Sequence, residues 1–261
     1  MRNITDRSFI KQLLKRSGQI SLVRRSKFNT FSKGNKNELV TDVDIEIGRY
    51  IYNQISTKYP KDAIKCEDGS ITKNGSNSIV WYIDPLDGTT NYIHGLPFFA
   101  ISISRYDRKK SFFLSSGTYI PFYDQLFIAL GGTITELNGQ QIKVSDNKRL
   151  KKSLILTGMS LNVKENGKEA KKFMRISSIS AGTRRTGSAA LDLCYVASGF
   201  ADAYYHFDLK QWDFAAGCHL VINAGGRISN INSISNFNFS EGTILATNGL
   251  LHKELYRELA E

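Results

Sequence analysis

The stretch IVWYIDPLDGTTN, residues 79–91, constrains this chain more than any other. Ile79 to Ile83 form an apolar, strand-like run that ends in Asp84, and Asp87 follows three residues later. Pro85 blocks helical continuation, so the two carboxylates are expected to project from a turn and not from a helix face. Gly88-Thr89-Thr90 then reads as a turn entering a helix, where free N–H groups attract phosphate and a threonine hydroxyl can hold a water. An ordinary strand-to-turn exit at Asp87-Gly88 would produce the same local pattern. Partners elsewhere in the chain decide between the two.

Candidate partners lie at the ends of other elements. Residues 6–17 read as an amphipathic helix. In the next segment Val43, Ile47, Ile51, Ile55 and Tyr59 recur every four residues, predicting a helix that Pro60 terminates. FFAISISRY, SFFLSSGTYI and FYDQLFIAL read as strands of an antiparallel or mixed sheet, and Asn138-Gly139 as a hairpin turn. The lysine-rich stretch 146–153 marks a seam, giving an N-terminal α+β half (1–145) and a C-terminal α/β half (150–261) in one compact unit. In the second half ILTG, ADAYYHF and TILATN read as strands. Helices are expected over 163–175, GSAALDLCYVASG, WDFAAGCHLVINAGG and 249–260. The alternation defines a layered α/β fold.

Four acids then acquire a common setting. Glu67 follows a short strand-like piece, Asp84 and Asp87 close the apolar run, and Asp213 opens the WDFAAG helix. Element ends converge on clefts in α/β folds, and a hard cation such as Mg²⁺ takes oxygen ligands, to which the Leu86 carbonyl adds one more. Singly, Asp213 reads as a helix cap and Glu67 as a surface acid. Only the combination points to a metal that meets a phosphate.

Composition excludes other classes. The 261 residues suffice for a substantial core, and 41% apolar with 23% charged residues is ordinary for a folded protein. The start, MRNITDRSFIKQLLKRSG, offers no secretory apolar core, and no run approaches a membrane span, predicting a cytoplasmic chain without a membrane partner. Cys66, Cys194 and Cys218 lack zinc or disulfide spacing and are expected to be reduced thiols. The net charge of +11 is concentrated partly in 146–153 and 163–175. No aromatic residues interleave those lysines, so a solvated face is favoured over a nucleic-acid platform, and steering of an anionic substrate is a third reading.

WYIDPLDGTTNYIHG resembles the D-P-L/I-D-G-T-x-N signature of the inositol monophosphatase family. Trp212 to Gly217 resemble its W-D-x-A-A-G signature, Cys66-Glu67-Asp68 its GEE element and Leu39 to Asp44 its LVTxxD element. GTYIPFYDQLFIAL and RTGSAALDLCYVASGFADAYY match two further segments, so the resemblance spans about residues 6–258. It implies a layered αβαβα sandwich of the inositol monophosphatase and fructose-1,6-bisphosphatase type, a Mg²⁺-dependent, commonly lithium-sensitive phosphate monoester hydrolase, and a homodimer. Carried over by position, Glu67, Asp84, Asp87, Asp213 and the Leu86 carbonyl would hold metal, with Glu67 also catalytic. Asp44 would pair with Thr89 to activate water, and Gly88 and Thr89 would meet the phosphate. Gly187, Ser188 and Ala189 would line the site for the leaving alcohol, with Asp213 also facing substrate.

Departures bear on the substrate. His206 falls where inositol-specific members carry an acid after the aromatic pair, so an acceptor for sugar hydroxyls becomes an imidazole able to donate or to carry charge. Cys66 replaces the glycine before Glu67 and is expected to crowd the metal loop. The chain therefore reads as a phosphatase for a small phosphorylated polyol or sugar. A 3′-phosphoadenosine 5′-phosphate or histidinol-phosphate phosphatase is the alternative within the class, and a regulatory or RNA-associated protein is the alternative outside it.

Overall fold

The computed structural model describes residues 2–32, 39–67, 69, 71–132, 134–160, 167–235 and 237–260. Asp68 and the first residues of the helix expected over 163–175 lie outside them.

Two helices open the chain, α1 (Arg2–Arg24) and α2 (Asp42–Lys58), joined through the small antiparallel pair β1 (Thr30–Ser32) and β2 (Leu39–Thr41). α1 is longer than the 6–17 expected. Ser17 and Gly18 look like a helix exit in sequence, but a Cβ at Gly18 would lie 2.2 Å from the Tyr119 ring, so the glycine is there to let the helix lie on the sheet. α2 starts at the Thr41–Asp44 capping box and ends before Pro60, as the spacing predicts.

The larger sheet has seven strands in the order β3 (Ala63–Cys66), β4 (Ile79–Asp87), β5 (Ala100–Asp107), β6 (Phe112–Ile120), β7 (Gln125–Leu130), β8 (Thr135–Leu137) and β9 (Gln140–Ile142). The pair β3–β4 is parallel and the rest antiparallel, with the Asn138-Gly139 turn between the last two. A short helix, α3 (Thr89–Ile93), follows β4 at once.

The smaller sheet takes the spatial order β11-β10-β12-β14-β13, from β10 (Leu154–Thr157), β11 (Gly182–Arg184), β12 (Ala203–His206), β13 (Arg227–Ser229) and β14 (Ile244–Thr247). β11 and β13 were not foreseen, because three-residue strands carry too little alternation to register. The remaining helices are α4 (Lys168–Ile179), α5 (Ala189–Ala197), α6 (Gln211–Asn223) and α7 (His252–Ala260). α4 begins after Gly167 and runs four residues past the expected end, since Ile176 and Ile179 continue its apolar stripe.

Alternation along β4 builds the layers. Trp81 and Ile83 face α1 and α2, packing with Ile10, Leu14, Ile47 and Ile51. Val80 and Tyr82 face the other way, towards α5 and α6, whose far side meets Leu156, Tyr204 and Ala246 of the smaller sheet. Ile155, Tyr205 and Leu245 point outward under α4 and α7. The order is helix pair, sheet, helix pair, sheet, helix pair: the αβαβα sandwich expected. All three cysteines are buried and free. No helix among the described residues is long and apolar enough to cross a membrane.

Candidate active site

The acids meet at one end of β4. Asp84 pairs with Ser102 and Asp87 with Ala100, so β4 spends three steps where β5 spends two, and a bulge holds the extra residue. On an unbroken strand positions 84 and 87 would face opposite sides; the added residue turns both carboxyls one way. Asp84 and Asp87 therefore project from a bulged strand, and not from the turn that Pro85 suggested. β3 lies parallel alongside, and the Glu67 N–H donates to the Ile83 carbonyl at 3.1 Å, placing Glu67 beside Asp84. Asp213 comes from the first turn of α6, where its Oδ2 accepts the Lys210 N–H at 2.8 Å.

Electrostatics ties the four together. Burial holds Asp84 well above the ordinary carboxylate range, and the negative charges of Glu67, Asp87 and Asp213 push it further in the same direction. Burial raises Asp87 to about 7 against the stabilising hydrogen bonds from Ser188 and the Ala190 N–H, with Glu67 adding to the rise. Such mutual repulsion costs stability until positive charge arrives.

The donor set suits a hard divalent cation: carboxylates and the Leu86 carbonyl, without thiol or imidazole. Cys66 faces the α2 layer, its Sγ 3.5 Å from where a Gly48 Cβ would stand. Among the described residues no three acidic, histidine or cysteine side chains already stand in a metal-holding arrangement. Protein donors occupy part of the set: Asp84 Oδ1 accepts the Leu86 N–H at 3.0 Å, and Asp87 Oδ2 takes both the Ser188 hydroxyl and the Ala190 N–H at 2.6 Å.

Beside the acids stands a second pair. Thr89 Oγ lies 3.1 Å from Asp44 Oδ1 and 3.0 Å from the Leu86 carbonyl. Asp44 is fixed from behind, its Oδ2 accepting the Thr41 N–H at 2.9 Å and the Thr41 hydroxyl. Burial raises its pKa to about 6 despite those donors. Gly88, at φ 93°, starts α3.

Residues 186–192 supply what sequence reasoning missed. Ser188, which the resemblance gave to the leaving alcohol, is 1% exposed and gives its hydroxyl to Asp87. Gly187 stands next to it at φ 89°, and Ala189 opens α5. Thr186, Ala190 and Asp192 carry no role in the sequence reading, and Asn91 stands there only as the last residue of the signature; Asp192 is buried, accepts the Thr186 hydroxyl at 2.7 Å, and is held well above its usual range by burial. The signal available was the run RTGSAALD, whose polar members sit against a helix that is otherwise apolar.

His206 is covered. It is 7% exposed, its Nδ1 accepts the Asp208 N–H at 3.0 Å, and burial lowers its pKa to about 4. Burial therefore favours the neutral ring over the charged one. Its ring packs on Gly158, where a Cβ would fall 2.3 Å from Cδ2, and its charged neighbours are Glu169, Asp208 and Arg185. His219 and His252 sit in buried hydrogen-bond networks, consistent with structural roles.

A five-layered α/β sandwich with clustered strand-end acids beside a glycine turn is the form of the metal-dependent phosphatases. The chain belongs to the inositol monophosphatase family, whose model matches residues 5–261. It is 34% identical over 92% of its length to the Nus factor SuhB of Vibrio cholerae, covering 89% of that protein. It is 37% identical to the inositol-1-monophosphatase of Synechocystis, over 87% of this chain and 79% of the relative. Among solved structures, the extragenic suppressor protein suhB of Bartonella henselae superposes with a TM-score of 0.92 at 30% identity, covering 98% of this chain and 99% of that one. The inositol monophosphatase of Anabaena gives 0.87 at 31%, covering 99% and 96%.

Proposed function

We propose that the chain hydrolyses a small phosphate monoester, of an inositol phosphate-like polyol or a sugar, in a Mg²⁺-dependent reaction. One observation carries the reading: the buried Asp84 feels Glu67, Asp87 and Asp213 at once, next to a Thr89 hydroxyl hydrogen-bonded to Asp44. Glu67, Asp84, Asp87, Asp213 and the Leu86 carbonyl would hold the cation. When bound, the metal neutralises the acids, lowers the pKa of a water and stabilises the departing oxygen.

The chain's own groups then orient and move protons. Asp44 draws the Thr89 proton, which turns a lone pair of Thr89 Oγ towards an incoming water. As the water oxygen forms its bond to phosphorus and the bond to the alcohol oxygen breaks, the water proton passes to Thr89 and the threonine proton to Asp44; the departing oxygen takes a proton from solvent water, and Asp44 returns its proton to solvent to reset the site. Glu67 assists in orienting that water. The N–H groups of Gly88 and Thr89, at the entry to α3, would receive the phosphate oxygens. Gly187, Ser188, Ala189, Asp213 and the neutral His206 would bound the side taken by the alcohol. Positioning and charge neutralisation dominate phosphoryl transfer, so no nucleophilic side chain is required.

Phosphate release from inositol 1-phosphate, fructose 1,6-bisphosphate, histidinol phosphate and adenosine 3′,5′-bisphosphate, with and without Mg²⁺, tests the reading and ranks the substrates. Asp87→Asn is expected to abolish turnover with the fold retained; near-wild-type rates would contradict its place among the ligands.

A second reading rests on the relatives named Nus factor SuhB together with the net charge of +11: the chain also engages RNA or the transcription machinery. RNA affinity that falls steeply with salt, without Mg²⁺-dependent phosphate release, would put this reading first. A homodimer, carried from the family resemblance, is tested by sedimentation.

A further inference from the structure

Three separated segments meet on the side chain of Asn91. It lies in α3 and is 9% exposed. Its Nδ2 donates one proton to the Phe98 carbonyl at 2.7 Å and the other to the Thr186 carbonyl at 2.8 Å, while the Asn91 backbone carbonyl accepts the Leu96 N–H at 2.8 Å. The amide is thus the direct link between the turn that follows Asp87 and the 186–190 segment that grips Asp87.

Two glycines let the junction close. A Cβ at Gly88 would stand 2.7 Å from the Phe98 carbonyl and 3.4 Å from Ser188 Cβ; a Cβ at Gly187 would stand 2.9 Å from Asn91 Nδ2. Both have positive φ, 93° and 89°, a region that a side chain would oppose for a second reason. Asp192 fastens the far end by accepting the Thr186 hydroxyl at 2.7 Å. Beyond the junction, Ser188 Oγ and the Ala190 N–H reach Asp87 Oδ2, each at 2.6 Å.

We propose that Asn91 is a positioning residue: its two amide protons lock the 88–91 turn, the 98–99 segment and the 186–190 loop into one body, which sets the angle at which Asp87 faces the site. The proposal rests on the phosphatase reading for its kinetic consequence but not for its structural one. Asn91 touches none of the reacting atoms. Without it, two part-buried carbonyls lose their donor and the loop holding Asp87 loses its reference to the anion turn.

The test compares wild type with Asn91→Ala and with Asn91→Asp, which keeps the shape but removes the double donor. The measurements are phosphate release and amide hydrogen exchange of 88–91 and 186–190. Loss of positioning without loss of the binding groups is expected to lower kcat between about tenfold and about a hundredfold, with KM changed less than about threefold. Exchange is expected to rise in both segments together, with protection in the distant β6 and β7 retained. Should Asn91→Ala fail to fold, Asn91→Asp gives the decision by the same readouts. Unchanged exchange in either segment, or kcat within twofold of wild type where wild type is active, overturns the proposal. If wild type releases no phosphate from any ester, the phosphatase reading fails and coupled exchange alone decides the role of Asn91.

Discussion

Thr89 Oγ is poised between two acceptors, Asp44 Oδ1 at 3.1 Å and the Leu86 carbonyl at 3.0 Å, with one proton to give. Donating to Asp44 releases the Leu86 oxygen from Thr89, and that carbonyl, with two lone pairs, can accept from Thr89 and still present an oxygen to the site. Thr89→Val keeps the branched shape and removes the hydroxyl. Turnover is expected to fall by roughly 10²- to 10⁴-fold, the usual contribution of a positioned proton-transfer group, with little change in melting temperature. Steady-state kinetics beside a thermal melt checks it.

Charge repulsion among the acids gives a signature of metal removal. Asp84→Asn replaces the acid by a neutral amide whose oxygen still accepts the Leu86 N–H. Burial and the neighbouring acids already favour an uncharged Asp84 without metal, so in chelator the variant is expected to be at least as stable as wild type. With Mg²⁺ the order reverses, because wild type gains binding free energy that the variant lacks. Scanning fluorimetry in both buffers reads it, and equal metal-induced shifts would remove Asp84 from the ligand set.

Acid behaviour is testable through His219. The ring Nε2 donates to the Gly131 carbonyl at 2.6 Å, Nδ1 faces Ser116 Oγ at 2.9 Å, and burial lowers the pKa to about 4. A lowered folded value means that the unfolded chain takes up the proton first. The stabilising effect of a neutral ring is complete above about pH 6.5 and is lost as pH falls towards 4, by about 3 kcal/mol at most. The raised carboxyls of Asp44 and Asp87 act in the opposite sense over the same range in metal-free protein, so the difference between His219→Gln and wild type is the quantity to follow. Wild type is expected to lose more stability than the variant between pH 6.5 and 4 in urea melts.

Gly18→Ala tests the seat of α1. The added methyl would meet the Tyr119 ring, and overpacking of this kind costs about 1–3 kcal/mol. A melting temperature unchanged from wild type would show that the helix is free to shift.

Much of this was legible because local rules sufficed. The four-residue recurrence from Val43 to Tyr59, the Asn138-Gly139 turn and the DPLDGTTN run each carry their own physical reason within a few residues, and the two signatures reveal the family. The full length of α1 is not legible locally, since a glycine such as Gly18 placed for packing and one ending a helix look alike in sequence. His206 reads as an imidazole able to donate or to carry charge, and nothing beside it in the chain reveals that it is covered.

The order of the residues thus determined the longer elements, the layering and the candidate acids, because periodicity, capping and the oxygen chemistry of a side chain are short-range properties. Only the tertiary structure decided which way the acids face and what holds them. The bulge after Asp84, the grip of Ser188 and Ala190 on Asp87, and the Asn91 junction each join parts of the chain that sequence keeps apart or in the wrong register, and their geometry exists only once the two sheets have closed on the helices between them.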